Sequence, residues 1–249
     1  MFNLWQLDVA ISKLNRYASR DSGDTVEVVE RPSGGLSIVI ADAQGSGYAA
    51  KTLSNLVTSK AVGLLKEGVR DTAVHEALHD HLYHYRGGRV SCALITISAD
   101  TKDKVCRITT NSSVPVYLVE SNGNPIIKEL SGSSNSLGIY PETRPCYLTI
   151  PLRPEIMVIA MTDGILNAGR RASRNLDLQE LISCCLSVSK TPADLADCIL
   201  TKAVELDSGR PSDDMSIAIL SVSKREKDEE RRTMSIVMPI REDMLASEG

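Results

Sequence analysis

VSCALITIS (residues 90–98), KVCRITT (104–110), PVYLVE (115–120), PIIKEL (125–130), CYLTIP (146–151) and IMVIAM (156–161) follow one another, separated by turn residues. Each is short, apolar and rich in β-branched residues, which reads as a strand. The connections leave no room for crossover helices, so the strands are expected to be antiparallel. Upstream, TVEVVE (25–30) and GLSIVIA (35–41) are joined by RPSGG, a hairpin signal. Between the hairpin and the strand run, a helix starting near Gly47 carries Ala50, Leu53, Val57, Ala61 and Leu64 on one face and stops at Gly68. Asp71 is an expected N-cap for a second helix that reaches Tyr85 and stops at Gly87–Gly88. Downstream, LDLQELISCCLSVS (176–189) and TPADLADCILTKAVEL (191–206) read as helices, the second with Thr191 at N-cap and Pro192 at N1. MSIAILSV (215–222) reads as a last strand. At the front, Leu4, Leu7, Val9, Ile11, Leu14 and Tyr17 suggest helical spacing over 4–19. The order predicts an α+β fold: a four-layer α-β-β-α sandwich of two mainly antiparallel sheets flanked by helices. No internal repeat is visible.

The totals agree with one sizeable domain. The chain has 249 residues, 42% of them apolar, and a net charge of −4. No broad basic surface is implied, which argues against nucleic acid as the primary partner. No apolar run approaches the ~20 residues of a membrane span, and MFNLWQLDVAISKLNRY lacks the features of a signal peptide. The six cysteines contain no C-x-x-C pair, so zinc and a disulfide framework are both poorly supported and a reduced cytoplasm is expected. KREKDEERR (224–232) reads as solvated linker. The division is therefore a domain over 1–223 and a charged linker with C-terminal tail over 224–249. Within that tail TMSIVMPI (233–240) is an apolar run with β character. It is expected to dock as an added edge strand on its own sheet, or on a neighbouring copy to make a homodimer; the alternative is a loose tail kept soluble by its charged flanks.

ADAQGSGYAAKT (41–52) has two readings. From Gly45 it approaches a nucleotide-binding loop with Lys51 as its lysine, but Ala50 stands where G-x-x-x-x-G-K-[ST] needs glycine. Such a loop also belongs to a parallel sheet with crossover helices. On the rival reading Lys51 lies on a helix surface and Asp42 is the important residue. Asp42 follows SIVI, Asp163 follows MVIAMT, Asp213 and Asp214 precede MSIAIL, and Asp24 precedes TVEVVE. Any one of these could be a turn or N-cap aspartate. Several at strand ends of one sheet protein suggest a carboxylate cluster, and clustered carboxylates must take up protons or bind cations. Oxygen ligands without histidine or cysteine select a hard ion, Mg²⁺ or Mn²⁺.

GD (23–24), IADAQGSG (40–47), MTDGILNA (161–168) and SDDMSIAIL (212–220) occur in an order that resembles the PPM-type metal-dependent serine/threonine phosphatases. The likeness is to the bacterial branch typified by the stage II sporulation protein E phosphatase domain and the sigma-B pathway phosphatases, over about residues 8 to 223. The resemblance implies two metal ions, Mn²⁺ or Mg²⁺. Asp42 would bridge them, with the Ala43 carbonyl on one; Asp163 and Asp213 would hold the other, with Asp214 beside Asp213 in the metal-binding set; Asp24 would orient metal-bound water. It further implies hydrolysis of phosphoserine or phosphothreonine by a metal-bridging hydroxide, without a phosphoenzyme. A phosphorylated signalling protein is the expected partner, an anti-sigma-factor antagonist by analogy with the branch. A fold that keeps its shape as a catalytically weak or inactive binding module is the competing expectation. The likeness also suggests the helices over 47–85 as a switch, against a static packed layer.

Some positions depart from the pattern. Ser46 stands where many relatives have histidine, NSSVP (111–115) replaces a glycine-histidine turn, and RPEI (153–156) replaces a glycine-aspartate. Arg16 and Arg20 are candidate phosphate-binding residues by proximity to Asp24 only. All four histidines lie in HEALHDHLYH (75–84); they do not complete H-E-x-x-H, and a helix surface is expected for them, with Val74, Leu78, Leu82 and Tyr85 on the core face.

Overall fold

The computed structural model describes residues 4–122, 124–130, 132, 134–174, 176–225 and 231–239. Ten strands form two five-stranded sheets. β1 (Trp5–Leu14), β10 (Met215–Lys224), β9 (Ile156–Met161), β6 (Val116–Asn122) and β7 (Asn124–Leu130) lie side by side in one; β2 (Asp24–Glu30), β3 (Gly35–Ala43), β4 (Cys92–Asp100), β5 (Val105–Asn111) and β8 (Cys146–Pro151) in the other. Every pairing is antiparallel. Helices α1 (Gly47–Lys66) and α2 (Asp71–Arg86) cover the β2–β8 sheet, and α4 (Leu178–Val188) and α5 (Pro192–Leu206) cover the other; a single turn, α3 (Asp163–Leu166), follows β9. Three aliphatic layers hold the sandwich together, in line with the scarcity of aromatic residues. Ile38, Ile40, Ile97 and Ile108 meet Leu118, Val158, Ala218 and Leu220 between the sheets. Val57, Ala61, Leu65, Val74, Leu78 and Leu82 pack beneath α1 and α2, and Ile182, Cys185, Leu195, Ile199 and Ala203 beneath α4 and α5. Thr191 caps α5 in a full capping box, with Pro192 in the first turn.

Several expectations are corrected. Residues 5–14 form strand β1, not a helix: Leu7, Val9 and Ile11 alternate at period two, and all ten residues pair with β10, from Trp5↔Lys224 to Leu14↔Met215. Leu7 and Val9 face the layer between the sheets while Ala10 faces α5, the two-sided pattern of a strand. His75 and His79 are buried, not on a helix surface, because they fall on the stripe of Asp71, Val74, Leu78 and Leu82; Tyr85 is outside that stripe and 69% exposed. The cysteines are not all unpaired: Cys185 and Cys198 face each other across α4 and α5, with Cα atoms 5.8 Å apart, and form a disulfide. Residues 231–239 have no regular structure and add no strand to either sheet; Met234, Ile236, Val237 and Met238 are exposed, while Arg232 pairs with Glu30 at 2.8 Å. The rest of the charged linker and of the tail lies outside the described residues.

Candidate metal centre

β2 and β3 pair so that Asp24 stands directly opposite Asp42, which places both carboxylates on one face of the ladder. The other sheet brings its own pair to the same end of the sandwich. Asp163 opens α3 immediately after β9 and Thr162, and Asp213 lies in the turn that leads into β10. The two turns are locked together: Thr162 N donates to Ser216 O at 2.9 Å, and Ser216 N donates to Thr162 Oγ1 at 2.9 Å. A Cβ on Gly164 would lie 2.0 Å from the Asp214 carbonyl oxygen. The glycine after Asp163 is therefore what lets the two acidic turns touch.

The four aspartates feel one another. Burial, then the charges of Asp24, Asp163 and Asp213, push the Asp42 carboxyl up to about 9. Asp163 is raised by burial and by Asp213, while a hydrogen bond to Asp42 and the charge of Arg170 act the other way. Asp24 is raised to about 6 by burial, opposed by hydrogen bonds from Ser216 Oγ at 2.7 Å and Thr162 Oγ1 at 2.8 Å. Thr162 and Ser216 thus tie the β2–β3 acid pair to the β9–β10 pair across the gap between sheets. Asp214 sits differently. Its Oδ1 accepts from Arg16 N at 2.8 Å and its Oδ2 from Gly23 N at 2.7 Å, so both oxygens are taken by backbone amides.

Sequence reasoning missed Lys13 and placed Lys51 on a helix surface. Lys13 reaches from β1 and Lys51 from α1 to the Asp24 carbonyl oxygen, and Lys51 also donates to Thr25 Oγ1 at 3.1 Å. Lys51 is therefore a partly buried anchor of β2, neither a phosphate-loop lysine nor a free surface residue. Burial and the neighbouring Lys51 lower Lys13 to about 8. With 4–19 read as a helix, no sequence signal could have brought Lys13 to this end of the sandwich. Ser112, from the NSSVP turn, lines a small gap with Asp42, Ile95, Met161 and Thr162. Arg20 is exposed, and Arg16 contributes its backbone amide.

Among the described residues no group of three or more acidic, imidazole or thiol side chains is closed into a ready-made cation cage. The donors are nevertheless the right kind for a hard divalent ion: oxygen only and mutually repelling. Mg²⁺ and Mn²⁺ are commonly held by one or two carboxylates and keep several waters, so a loose carboxylate group fits them where a four-ligand zinc site would not.

This sandwich, with acidic turns at one end, defines a PP2C-type phosphatase fold. A family model described as Stage II sporulation protein E (SpoIIE) matches residues 32–223, and the chain belongs to that family. The structure of the PP2C phosphatase domain with a fragment of the regulatory domain of SpoIIE from Bacillus subtilis is similar at a TM-score of 0.74 and 17% identity, over 91% of this chain and 66% of that one. The chain thus spans just under two thirds of that structure. The S. agalactiae serine/threonine phosphatase is similar at a TM-score of 0.71 and 12% identity, over 87% of this chain and 99% of that one. Stp1, the serine/threonine phosphatase of Staphylococcus aureus, gives a TM-score of 0.71 at 12% identity, over 87% and 95%. No curated protein matches at a significant level. Among the described residues no helix is long and apolar enough to cross a membrane.

Proposed function

We propose that this chain is a metal-dependent protein phosphatase that hydrolyses phosphoserine or phosphothreonine on a bacterial signalling protein. The observation that carries the proposal is the meeting of Asp24 and Asp42 from one sheet with Asp163 and Asp213 from the other, with Asp42 held up at about 9 by burial and by the other three. A carboxyl so surrounded gains most from a nearby cation, which makes it the best candidate for a metal ligand. In this reading Asp42 and the Ala43 carbonyl hold one side of the centre and Asp163 and Asp213 the other, while Asp24 orients a water. Thr162 and Ser216 keep Asp24 aimed by donating to one of its oxygens. Asp214 is assigned to positioning: through the amides of Gly23 and Arg16 it holds the segment before Asp24 against the Asp213 turn. Divalent ions held there, Mn²⁺ or Mg²⁺ and two in this reading, would supply an acidified water and offset charge on the phosphoryl oxygens. The partner would be a phosphorylated protein, and a phosphorylated anti-sigma-factor antagonist is the first substrate to try.

The test is manganese-dependent release of phosphate from a phosphoserine peptide and from p-nitrophenyl phosphate. Turnover is expected in the native chain, with loss of at least a hundredfold in Asp42→Ala, on the order of the effect of removing a principal electrostatic element of a site. Turnover by Asp42→Ala at the native rate would overturn the assignment of the centre. Phosphopeptide binding without any turnover in the native chain would leave a binding module of the same fold.

A further inference from the structure

Beside the acidic centre an open cleft of about 370 Å³ is lined by Arg16, Tyr17, Arg171, Arg210, Pro211 and Ser212. None of the lining residues is acidic, in a chain whose net charge is −4. Among the described residues the three arginines form no ion pair with a carboxylate. Arg210 instead lies over the Tyr17 ring, 5.3 Å from its centroid. A cleft lined by one sign of charge attracts the other, and three unpaired guanidiniums in one cleft are a recognition surface for anions.

The cleft is also built. Three separate segments form its walls: 16–17 after β1, the turn at 170–172 after α3, and 210–212 before β10. Asp207 ties two of them together, accepting from Gly169 N and from Ser212 N, each at 2.8 Å. Tyr17 N donates to Pro211 O at 3.0 Å, and Asp214 holds the Arg16 amide. The backbone at Arg16 and Arg210, and two residues before Arg171, is therefore held by hydrogen bonds, so the guanidiniums start from anchored segments. The cleft shares these segments with the acidic centre: Ser212 precedes Asp213, and Arg171 follows the turn that Asp163 opens. Yet Asp24, Asp42, Asp163 and Asp213 do not line it.

We propose that this cleft binds acidic side chains that flank the phosphorylated residue of a protein substrate. The proposal rests on the phosphatase reading and adds a substrate class to it. On that reading the phosphoryl group is received by cations held at the four aspartates, which lie outside the cleft, so what enters the cleft is the polypeptide next to it. Guanidinium forks match carboxylates bidentately, and the Tyr17 ring, 56% exposed, offers a flat apolar surface for peptide backbone. The room available suits one or two side chains.

Fluorescence anisotropy with the manganese-loaded full chain tests this. The probes are labelled peptides flanked by Asp and Glu, by Ala or by Lys, each made with a non-hydrolysable phosphonate in place of phosphoserine and again with plain serine. The acidic peptides are expected to bind about tenfold tighter than the alanine-flanked one, with or without the phosphonate, since each exposed charge pair contributes a fraction of that gain and bidentate pairs more. The advantage should shrink as salt rises. Arg171→Glu/Arg210→Glu is expected to invert the preference toward the lysine-flanked peptide, a result that an unfolded variant could not give. Equal binding of acidic and alanine-flanked peptides by the native chain would overturn the proposal. So would a charge-reversal effect that appears only with the phosphonate present, because the arginines would then hold the phosphoryl group itself. Phosphate release from p-nitrophenyl phosphate is read separately: if it is absent while the acidic preference and its inversion hold, the phosphatase reading fails and the cleft assignment stands.

Discussion

Asp42, half-buried, and His75, fully buried, are both ionisable groups near the acidic end of the fold, and the chain treats them in opposite ways. Asp42 is surrounded by like charges and calls for a cation; His75 is kept neutral. The Asn111 side-chain oxygen accepts from His75 Nδ1 at 2.8 Å, and Nε2 lies 3.2 Å from the Thr96 hydroxyl. Burial lowers His75 from 6.5 to about 4, against the hydrogen bond to Asn111 and the charge of Asp71. A histidine whose folded value lies below its unfolded one favours the folded state fully above 6.5. That advantage is lost as the pH falls toward 4, because the unfolded chain then binds a proton that the folded chain refuses. The loss attributable to this group amounts to about 3 kcal/mol by pH 4. Urea denaturation at several pH values should show it, and His75→Gln is expected to flatten the profile over that window; an unchanged profile would move the effect to other groups. At this scale the sequence was informative about Asp24, Asp42, Asp163 and Asp213, because each stands at the end of an apolar strand. It was silent about Lys13, Thr162 and Ser216, whose roles depend on distant segments meeting.

Among the elements, α2 is held by an ion pair that contact with the sheet has made dry. Arg31, from the β2–β3 turn, pairs with Asp71 at 3.4 Å, with both side chains nearly fully buried. The same guanidinium donates to Ser37, Ser98 and the Val69 carbonyl, and Ser98 donates to Asp71. Removing one partner leaves a buried charge, so Asp71→Ala is expected to cost about 3–5 kcal/mol, whereas Arg31→Met/Asp71→Leu should fall close to the native stability. Denaturant midpoints of the two variants check this; a double variant as damaged as the single one would make the pair stabilising in its own right. The sequence suggests Asp71 as an N-cap. The cap position belongs to Arg70, and the Asp71 side chain turns inward instead. Helices α1, α2, α4 and α5 were legible because their apolar stripes are continuous. β1 was not, because its odd-numbered apolar residues also satisfy a loose helical spacing, and only the ten-residue pairing with β10, some 200 positions away, decides between them. The idea that α1 and α2 act as a switch remains a proposal, to be tested by substitutions at Leu53 or Val57 that change metal affinity without unfolding the chain.

For the molecule as a whole, the order of elements was enough to foresee two antiparallel sheets with helices outside, since short connections exclude a parallel arrangement. The segment 233–239 follows the alternative reading rather than the edge strand on its own sheet: its side chains stand in water, with Ile236 and Val237 89% and 90% exposed. Truncation after Lys224 is therefore expected to leave p-nitrophenyl phosphate hydrolysis intact and stability within about 1 kcal/mol of native, the scale of exposed contacts. Light scattering of the truncated and full chains then shows whether the tail joins two copies: a fall in mass from dimer to monomer would assign it that role, and equal masses would remove it. The acidic centre has a different whole-molecule meaning. It straddles the sandwich, drawing two carboxylates from each sheet, and the layer between those sheets is aliphatic. Apolar contact is non-directional and does little to fix how far one sheet slides along the other. A divalent ion gripped from both sides would rivet the two at a single offset, so that cation supply sets mechanical alignment as well as chemistry. Manganese at about a hundred times its dissociation constant should add about 2.7 kcal/mol to folding, read as a melting temperature higher by roughly 5–10 °C and reversed by a chelator. In Asp42→Ala that shift should largely vanish. A chain built this way would be loosest when starved of metal and would stiffen along the line where its two halves meet as the ions arrive.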